Sequence, residues 1–287
     1  MARSPWRRGW IFLRAIFDRL DRANVGLNAA GVAFFALFAT FPALAALIAV
    51  FALLADPGIV AEQLDLLKEV IPPQAFDLFE GQIDKLLSST TGGLTRATIV
   101  SIFLALWSAR AGVAALIRGL NNVYGTRNRG GLRHNVVALL LTVALILTAS
   151  VAMLAVIVTP LVLAAVNHVV PVAGSFQNIL HLTRWGVALF VMVTGLGILY
   201  RFGPNRRGER SRWITPGALF VVLAWFGASI LFSRYIADLA RFTEVYGSIA
   251  AVIAVQLWMY LSAYLVLLGA VVNAEMPIST GAKQQGI

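Results

Sequence analysis

The chain has 287 residues, of which 59% are hydrophobic and 13% are charged, and its net charge at pH 7 is +10. Soluble globular proteins carry about 25% charged residues, so the long uncharged runs of this sequence indicate an all-α, polytopic membrane protein. The sequence has no cysteine, which excludes disulfides, thiolate metal sites and cysteine nucleophiles, and its three scattered histidines do not form a convincing metal site.

The first 27 residues predict an amphipathic helix on the cytoplasmic surface of the membrane. Apolar side chains recur at spacings of four and three from Trp6 to Leu20, and the arginines lie off that stripe. No apolar core leads to a small-residue cleavage site, so a secretory signal peptide is not expected. The alternative is a helix that packs on the cytoplasmic loops of the protein itself.

Six apolar segments follow, each near or above the roughly 20 residues that a helix needs to cross the hydrocarbon core. Together they predict a six-helix transmembrane domain over 28–275, followed by a cytoplasmic tail over 276–287. The segments are residues 28–55, 98–117, 136–166, 179–200, 216–236 and 248–274. Pro216 is expected in the first turn of the fifth helix, where its missing N–H costs least.

The longest outer connection, 56–97, predicts an outer helical cap. The stretches IVAEQLDLLKEV and AFDLFEGQIDKLL each place apolar residues on one helical stripe, and IPPQ separates them. Two short acidic helices that cover the outer face are the simple interpretation. A surface that docks a partner protein is the alternative.

The distribution of charge predicts the orientation. Fifteen arginines lie in the N-terminal arm and in the second-to-third and fourth-to-fifth connections, whereas most of the acidic residues lie in the opposite connections. Positive charge collects on the cytoplasmic side of membrane proteins. We therefore expect a multi-pass protein of the bacterial inner membrane with both termini in the cytoplasm.

Arg110 interrupts the apolar second segment. If that helix ends near Arg118, the guanidinium starts roughly 12 Å inside the membrane at 1.5 Å per residue. An arginine near the centre of a spanning helix costs about 2.5–3.5 kcal/mol. Two interpretations stay open: helix carbonyls satisfy the guanidinium, or it faces a cavity and binds an anionic ligand, with Trp107 and Asn121 near the same helix face.

Four further residues complete the candidate ligand-binding set. Gln256 is a large amide near the middle of the sixth segment, and Tyr260 lies one turn later on the same face; an interhelical hydrogen bond is the alternative role. Arg206 and Arg207 follow the turn sequence FGPN at the level of the lipid headgroups, where a topology signal alone is the alternative. No catalytic residue, metal ligand or cofactor is predicted.

Four stretches resemble, in order, the signature segments of the YihY/BrkB family of bacterial inner-membrane proteins. They are NAAGVAFFALFATFP, LWSARAGVAALIRGLNNVYG, YRFGPNRRGERSRWITPGALFVVLAWF and YGSIAAVIAVQLWMYLSAYLVLLGAVVNAE. The last motif of the family usually reads Gly-Ala-Glu, whereas Val271 stands at that position here, and Ala250 replaces a common glycine. The resemblance implies a role connected with the envelope and its lipids; members were once labelled ribonuclease BN.

The sequence therefore predicts a non-enzymatic carrier or passage for an anionic envelope lipid or a similar amphipathic substrate. Its expected partners are anionic membrane lipids, and nucleic acid is not expected because the positive-inside rule already explains the arginines. The first alternative is a scaffold that binds an envelope protein partner. The second is a membrane-associated ribonuclease, although no carboxylates or histidines fall at metal-ligand spacing on the cytoplasmic side.

Overall fold

A computed structural model describes residues 5–54, 96–169, 174–206, 212–239 and 248–279. These residues form seven α-helices and no strand, which confirms the all-α class. The helices are α1 (Pro5–Arg22), α2 (Val25–Leu54), α3 (Arg96–Tyr124), α4 (Gly131–Val169), α5 (Gly174–Phe202), α6 (Pro216–Leu239) and α7 (Ser248–Ser279). The predicted outer cap lies outside the described residues, apart from the two that begin α3.

Four of these helices are long and apolar enough to cross a membrane within the described residues. Their apolar spans are Ile102–Tyr124, Gly131–Val151, Pro216–Tyr235 and Val252–Met276, which lie in the second, third, fifth and sixth predicted helices. The first predicted helix lies in α2, whose first part, Val25–Thr40, forms a bent pair with Gly9–Arg22 of α1. The fourth lies in α5, where the apolar helix Leu189–Phe202 is shorter than a span. The count is therefore four or five, and six spans stay a prediction.

A short break separates α1 from α2. Asn24 adopts a positive φ of 48°, a conformation that asparagine tolerates better than most residues, and this ends α1. The side chain of Asn28 donates to the carbonyl oxygens of Ala23 and Asn24 at 2.9 and 3.0 Å. The two helices consequently meet at an angle of 56°.

Helix α6 begins at Pro216, as the sequence predicts. Thr215 caps it, because its side-chain oxygen accepts the backbone N–H of Ala218 at 3.1 Å. Asn273 on α7 donates to the same oxygen at 3.0 Å and accepts the N–H of Gly217 at 2.7 Å. The start of α6 is therefore attached to α7 by polar side chains as well as by packing.

The chain divides into two compact units. The first comprises Met1–Ala30, Val113–Leu231 and Leu261–Ile287, and the second comprises Gly31–Gly112 and Phe232–Tyr260. In the first unit, α3, α4 and α5 pack around Ala114, Ile117, Ala138 and Leu141. The predicted division into arm, transmembrane domain and tail stays a prediction.

Large apolar side chains cover the outer surfaces of the candidate spans. Leu140, Leu223 and Leu231 are 65%, 73% and 68% exposed. Surfaces of this kind are rare on soluble monomers, whereas hydrocarbon accommodates them without cost. The outer surfaces therefore suit a lipid environment.

Candidate functional site: an arginine-lined pocket

The loop that follows α3 has a defined conformation set by Gly125. Gly125 has a φ of +64°, and the backbone N–H groups of Gly125 and Thr126 donate to the carbonyl oxygens of Asn122 and Asn121. This is the Schellman pattern, which ends a helix with a left-handed glycine. The chain thus turns sharply after Tyr124 and carries residues 127–130 toward the start of α4.

Asn121 joins this loop to the connection that follows α5. Asn121 is fully buried, and its side-chain NH2 group donates to the side-chain oxygen of Asn128 at 2.8 Å. Its side-chain oxygen accepts hydrogen bonds from the Thr126 hydroxyl and from the backbone N–H of Asn205. Asn205 in turn donates to the backbone oxygen of Arg127 at 2.9 Å. Asn121 therefore holds together two loops that are about 80 residues apart in sequence.

Arg129 fixes the same two loops from the other side. Its guanidinium donates to the backbone oxygens of Gly203 and Pro204 at 2.6 and 2.9 Å, and to that of Phe202 at 3.3 Å. Positive charge at the carboxyl end of a helix, here α5, is favourable. Burial, and next the charge of Arg133, lower the pKa of Arg129. An arginine with a lowered pKa still stays protonated at neutral pH.

Arg129→Gln is expected to lower the stability of the purified protein by about 2 kcal/mol, because hydrogen bonds from a charged donor contribute about 1.5–3 kcal/mol. Thermal unfolding in detergent measures the change. Arg127→Gln is the matched control: Arg127 is exposed, and its side chain makes no hydrogen bond within the described part of the chain. Equal unfolding temperatures for the two variants would contradict the assigned role of Arg129.

Between these loops lies a pocket of about 570 Å³ whose lining is strongly basic. Five of the residues that line it are arginines, and none of the described lining residues is acidic. The lining consists of Arg127, Asn128, Arg129, Gly130, Arg133, Arg201, Phe202, Pro204, Asn205 and Arg206. Guanidinium groups match the oxygen geometry of phosphate and carboxylate, so the pocket is suited to an anion.

Aromatic rings position two of these arginines. The guanidinium of Arg206 lies 4.2 Å from the ring centre of Tyr124, and that of Arg201 lies 4.9 Å from the ring centre of Trp213. A cation stacked on a ring is stabilised through its face, and its N–H groups point outward from its edge. The rings thus orient Arg206 and Arg201 at the lining of the pocket.

Comparison with known proteins identifies the family. The profile of the virulence factor BrkB family matches residues 16–286. The chain belongs to this family. It is 31% identical over 264 residues to a Bacillus subtilis protein named ribonuclease-like protein YfkH, an alignment that covers 92% of this chain and 94% of that protein.

A second BrkB-family relative carries a membrane protein name. The UPF0761 membrane protein of Albidiferax ferrireducens is 26% identical over 285 residues, which cover 98% of this chain and 65% of that protein. The chain thus spans about two thirds of the length of that relative. No solved structure matches this chain. The family and the helices together identify a multi-pass membrane protein.

The last BrkB-family motif departs from the usual sequence, and the structure places both residues concerned. Val271 is fully buried. Glu275, one turn later, is 5% exposed. Its carboxylate accepts a hydrogen bond from Arg19 of α1 and forms an ion pair with it. Arg19 also donates to the backbone oxygen of Val123 at 2.9 Å, near the end of α3. The carboxylate of Glu275 and the backbone of Val123 therefore attach α1, through Arg19, to α7 and α3.

The residues predicted as ligand contacts fall in different places. Arg206 lines the pocket. Asn121 is not part of the lining, but it accepts a hydrogen bond from the backbone of the lining residue Asn205. Arg207 lies outside the described residues. The other four predicted contacts, Arg110, Trp107, Gln256 and Tyr260, belong to the second compact unit. Their roles as ligand contacts stay predictions.

Within the second unit, Arg110 is half-buried and its guanidinium lies 4.4 Å from the ring centre of Trp107, whose side chain is exposed. Gln256 is half-buried, and its side-chain oxygen has no hydrogen-bond partner among the described residues. Tyr260 is also half-buried. The stacking places Arg110 and Trp107 on the same face of α3.

Sequence reasoning did not select Arg127, Arg129, Arg133 and Arg201 as site residues. For the first three, the available signal was the connection RGLNNVYGTRNRGGLRHN, which carries four arginines and no acid. The sequence thus predicts a basic cytoplasmic rim that could hold anionic headgroups, without singling out any of these arginines as a ligand contact. Among the described residues, no group of three histidine, aspartate or glutamate side chains could hold a metal ion.

Proposed function

We propose that this protein is a carrier or passage for an anionic envelope lipid or a similar amphipathic substrate, and that the substrate headgroup binds in the arginine-lined pocket. The observation that carries the proposal is the lining itself, with five arginines and no acid among its described residues. Like charges brought together in one cavity repel one another, and a bound anion relieves that repulsion. The pocket is therefore built for a negatively charged ligand.

The position of α1 supports a lipid as the source of that anion. The side chains of Trp10, Leu13 and Phe17 are 70%, 51% and 68% exposed, and all three lie on the predicted apolar stripe. An amphipathic helix of this kind lies at the level of the headgroups. Arg19 attaches the last turn of α1 to the backbone of Val123, one residue before Tyr124, on which Arg206 stacks. If α1 lies on the membrane surface, the pocket opens at headgroup level.

The orientation of the protein forms part of the proposal. Both connections that line the pocket are rich in arginine, so the positive-inside rule assigns the pocket to the cytoplasmic side of the inner membrane. Anionic lipids in that leaflet attract each nearby arginine by about 1 kcal/mol. The pocket would then bind a headgroup from the inner leaflet.

Reporter fusions test this orientation. A reporter that is active only outside the cytoplasm should be active when fused near Ser89 or Ser175 and inactive when fused near Asn205 or after Thr280. The reason is that the two basic connections and both termini share one side of the membrane. The reverse pattern of activity would overturn the assignment of the pocket to the cytoplasmic side.

Transport is tested in proteoliposomes that contain fluorescent phosphatidylglycerol. A membrane-impermeant quencher removes the fluorescence of the outer leaflet, and any further loss reports lipid that has crossed the bilayer. Wild-type protein should give this further loss, and Arg127→Gln/Arg133→Gln should abolish most of it. Arg14→Gln/Arg118→Gln is the matched control, because it removes the same charge from exposed arginines that do not line the pocket.

Two outcomes separate the proposal from its alternatives. Transport that is equal in the pocket variant and the control variant would overturn the role of the pocket. Binding of a stable protein partner without any lipid movement would favour the scaffold.

Arg110→Gln is measured in the same transport assay. Unchanged transport would assign that arginine to the structure of the second unit instead of to the ligand. Among the described residues, no cluster of carboxylates or histidines could hold a metal ion for the ribonuclease that the name of YfkH suggests.

A further inference from the structure

We infer that the arginine-lined pocket selects headgroups that carry a phosphate monoester or a diphosphate over those that carry a single phosphate diester. This inference rests on the proposed function, since it names the chemical class of substrate for the same site. Three observations carry it: the number of unsatisfied donors, the surplus of positive charge, and the size of the cavity.

The donors that remain for a ligand come from three different segments. Arg129 uses its guanidinium on backbone oxygens and is not counted. Arg127 in the loop, Arg133 in the first turn of α4 and Arg206 after α5 all line the pocket and are exposed. Within the described residues, their guanidinium groups donate to no acceptor and pair with no acidic side chain. Arg206 also stacks on the ring of Tyr124.

A phosphate monoester fits three such donors better than a diester does. A monoester presents three acceptor oxygens and a charge near −2 at neutral pH, whereas a diester presents two unesterified oxygens and a charge of −1. Three guanidinium groups approaching from separate segments can each bind a different oxygen of the monoester. With a diester, at least two of them must share one unesterified oxygen.

The charge of the lining favours a dianion for the same reason. Arg133 contributes, after burial, to the lowered pKa of Arg129, as expected for cations that line one pocket. A monoanion neutralises one of the five arginines, and a dianion neutralises two. Each added negative charge removes more of the repulsion, so affinity is expected to rise with headgroup charge.

The cavity is also larger than a single phosphate group needs. Its volume is about 570 Å³, within the range of pockets that hold whole small molecules. Two phosphoryl groups, or one phosphate with a polar extension, fill such a space better than one phosphate alone. The class that meets all three conditions is a phosphomonoester or diphosphate lipid.

The test compares phosphatidate, a monoester, with phosphatidylglycerol, a diester that carries the same acyl chains. Native mass spectrometry of the purified full-length protein measures the affinity for each lipid in detergent. Phosphatidate should bind about tenfold more tightly, because one further charge-assisted hydrogen bond corresponds to about that factor. The preference should disappear in Arg127→Gln/Arg133→Gln and persist in Arg14→Gln/Arg118→Gln.

The outcomes separate this inference from the proposed function. Equal affinity for the two lipids, with both weakened in the pocket variant, would overturn the selectivity and leave the lipid site standing. A preference for phosphatidate that survives in the pocket variant would also overturn the inference. Binding of both lipids that is independent of the pocket would overturn the inference and the proposed function together.

Soluble competitors identify the source of the phosphate. Inorganic pyrophosphate should displace phosphatidate from the wild-type protein, because it offers the same oxygens. Pocket-dependent binding of pyrophosphate, together with phosphatidate binding that ignores the pocket, would assign the site to a soluble phosphate compound and overturn the lipid class. Pocket-dependent binding of a short RNA without any binding of phosphatidate would overturn it in favour of a nucleic acid.

Discussion

Gly217→Val is expected to destabilise the protein by about 3 kcal/mol or more, because added atoms in a fully packed contact force the backbone to move. A Cβ atom on Gly217 would overlap the backbone oxygen of Gly269 on α7 and would lie 2.6 Å from the side chain of Asn273. The same movement would break the 2.7 Å hydrogen bond from the N–H of Gly217 to Asn273. Thermal unfolding of the purified variant in detergent measures the loss.

Gly227→Val is the matched control for this prediction. Gly227 lies on the same helix, and a Cβ atom built on it has no neighbour within 4 Å. The same substitution should therefore leave the unfolding temperature close to that of the wild-type protein. A loss of stability at Gly227 as large as that at Gly217 would show that valine perturbs α6 itself, and not its contact with α7.

Arg19→Leu is expected to lower stability by about 3 kcal/mol, because it leaves the buried carboxylate of Glu275 without its cation. Removal of one partner from a buried ion pair costs about 3–5 kcal/mol, and the lower end applies because the Arg19 side chain is 25% exposed. The substitution also removes the hydrogen bond to the backbone oxygen of Val123. Chemical unfolding and protease sensitivity of α1 both report the change.

A double-mutant cycle separates the ion pair from simple loss of packing. In Arg19→Leu/Glu275→Leu no uncompensated charge remains, so the double variant should be more stable than the sum of the two single losses predicts. Arg14→Leu is the control, since Arg14 is exposed on the same helix. Additive effects of the two substitutions would contradict a direct interaction between Arg19 and Glu275.

Much of the helical framework could be predicted from the sequence because long apolar runs and helix-end residues are local signals. The spans in α3, α4, α6 and α7 follow from long apolar stretches, and Pro216 marks the start of α6. The break at Asn24 and the Schellman turn at Gly125 are also set by single residues with local backbone preferences. These features depend on the local sequence and not on tertiary contacts.

The pocket could not be predicted in the same way, because it is assembled from two connections that are far apart in sequence. The side chains of Asn121 and Arg129 bring these connections together, and each does so through backbone groups that no sequence pattern identifies. Arginines in such connections also serve as topology signals, which hides a second role. Arg206 could be identified as a candidate ligand contact because it follows the turn sequence FGPN. No comparable local pattern marks Arg127 or Arg133 as a ligand contact.

The attachment of α1 through Glu275 was likewise only partly visible. The sequence offers an acidic residue just past the last span and an arginine in the N-terminal arm, which are 256 residues apart. The resemblance to the BrkB family concerns Val271 at the position of the usual glutamate, and it assigns no partner to Glu275 one turn later. Three-dimensional packing alone brings Arg19, Val123 and Glu275 together.

The central claim is that the arginine-lined pocket binds the headgroup of an anionic lipid, and photo-crosslinking tests it most directly. A phosphatidate analogue with a photoreactive group in its headgroup is bound to the purified protein, irradiated, and located by mass spectrometry of the labelled peptides. The account predicts labels within residues 127–133 and 201–206 that are lost in Arg127→Gln/Arg133→Gln and kept in Arg14→Gln/Arg118→Gln. Labels confined to exposed apolar side chains such as Leu223 and Leu231, and unchanged in the pocket variant, would contradict it.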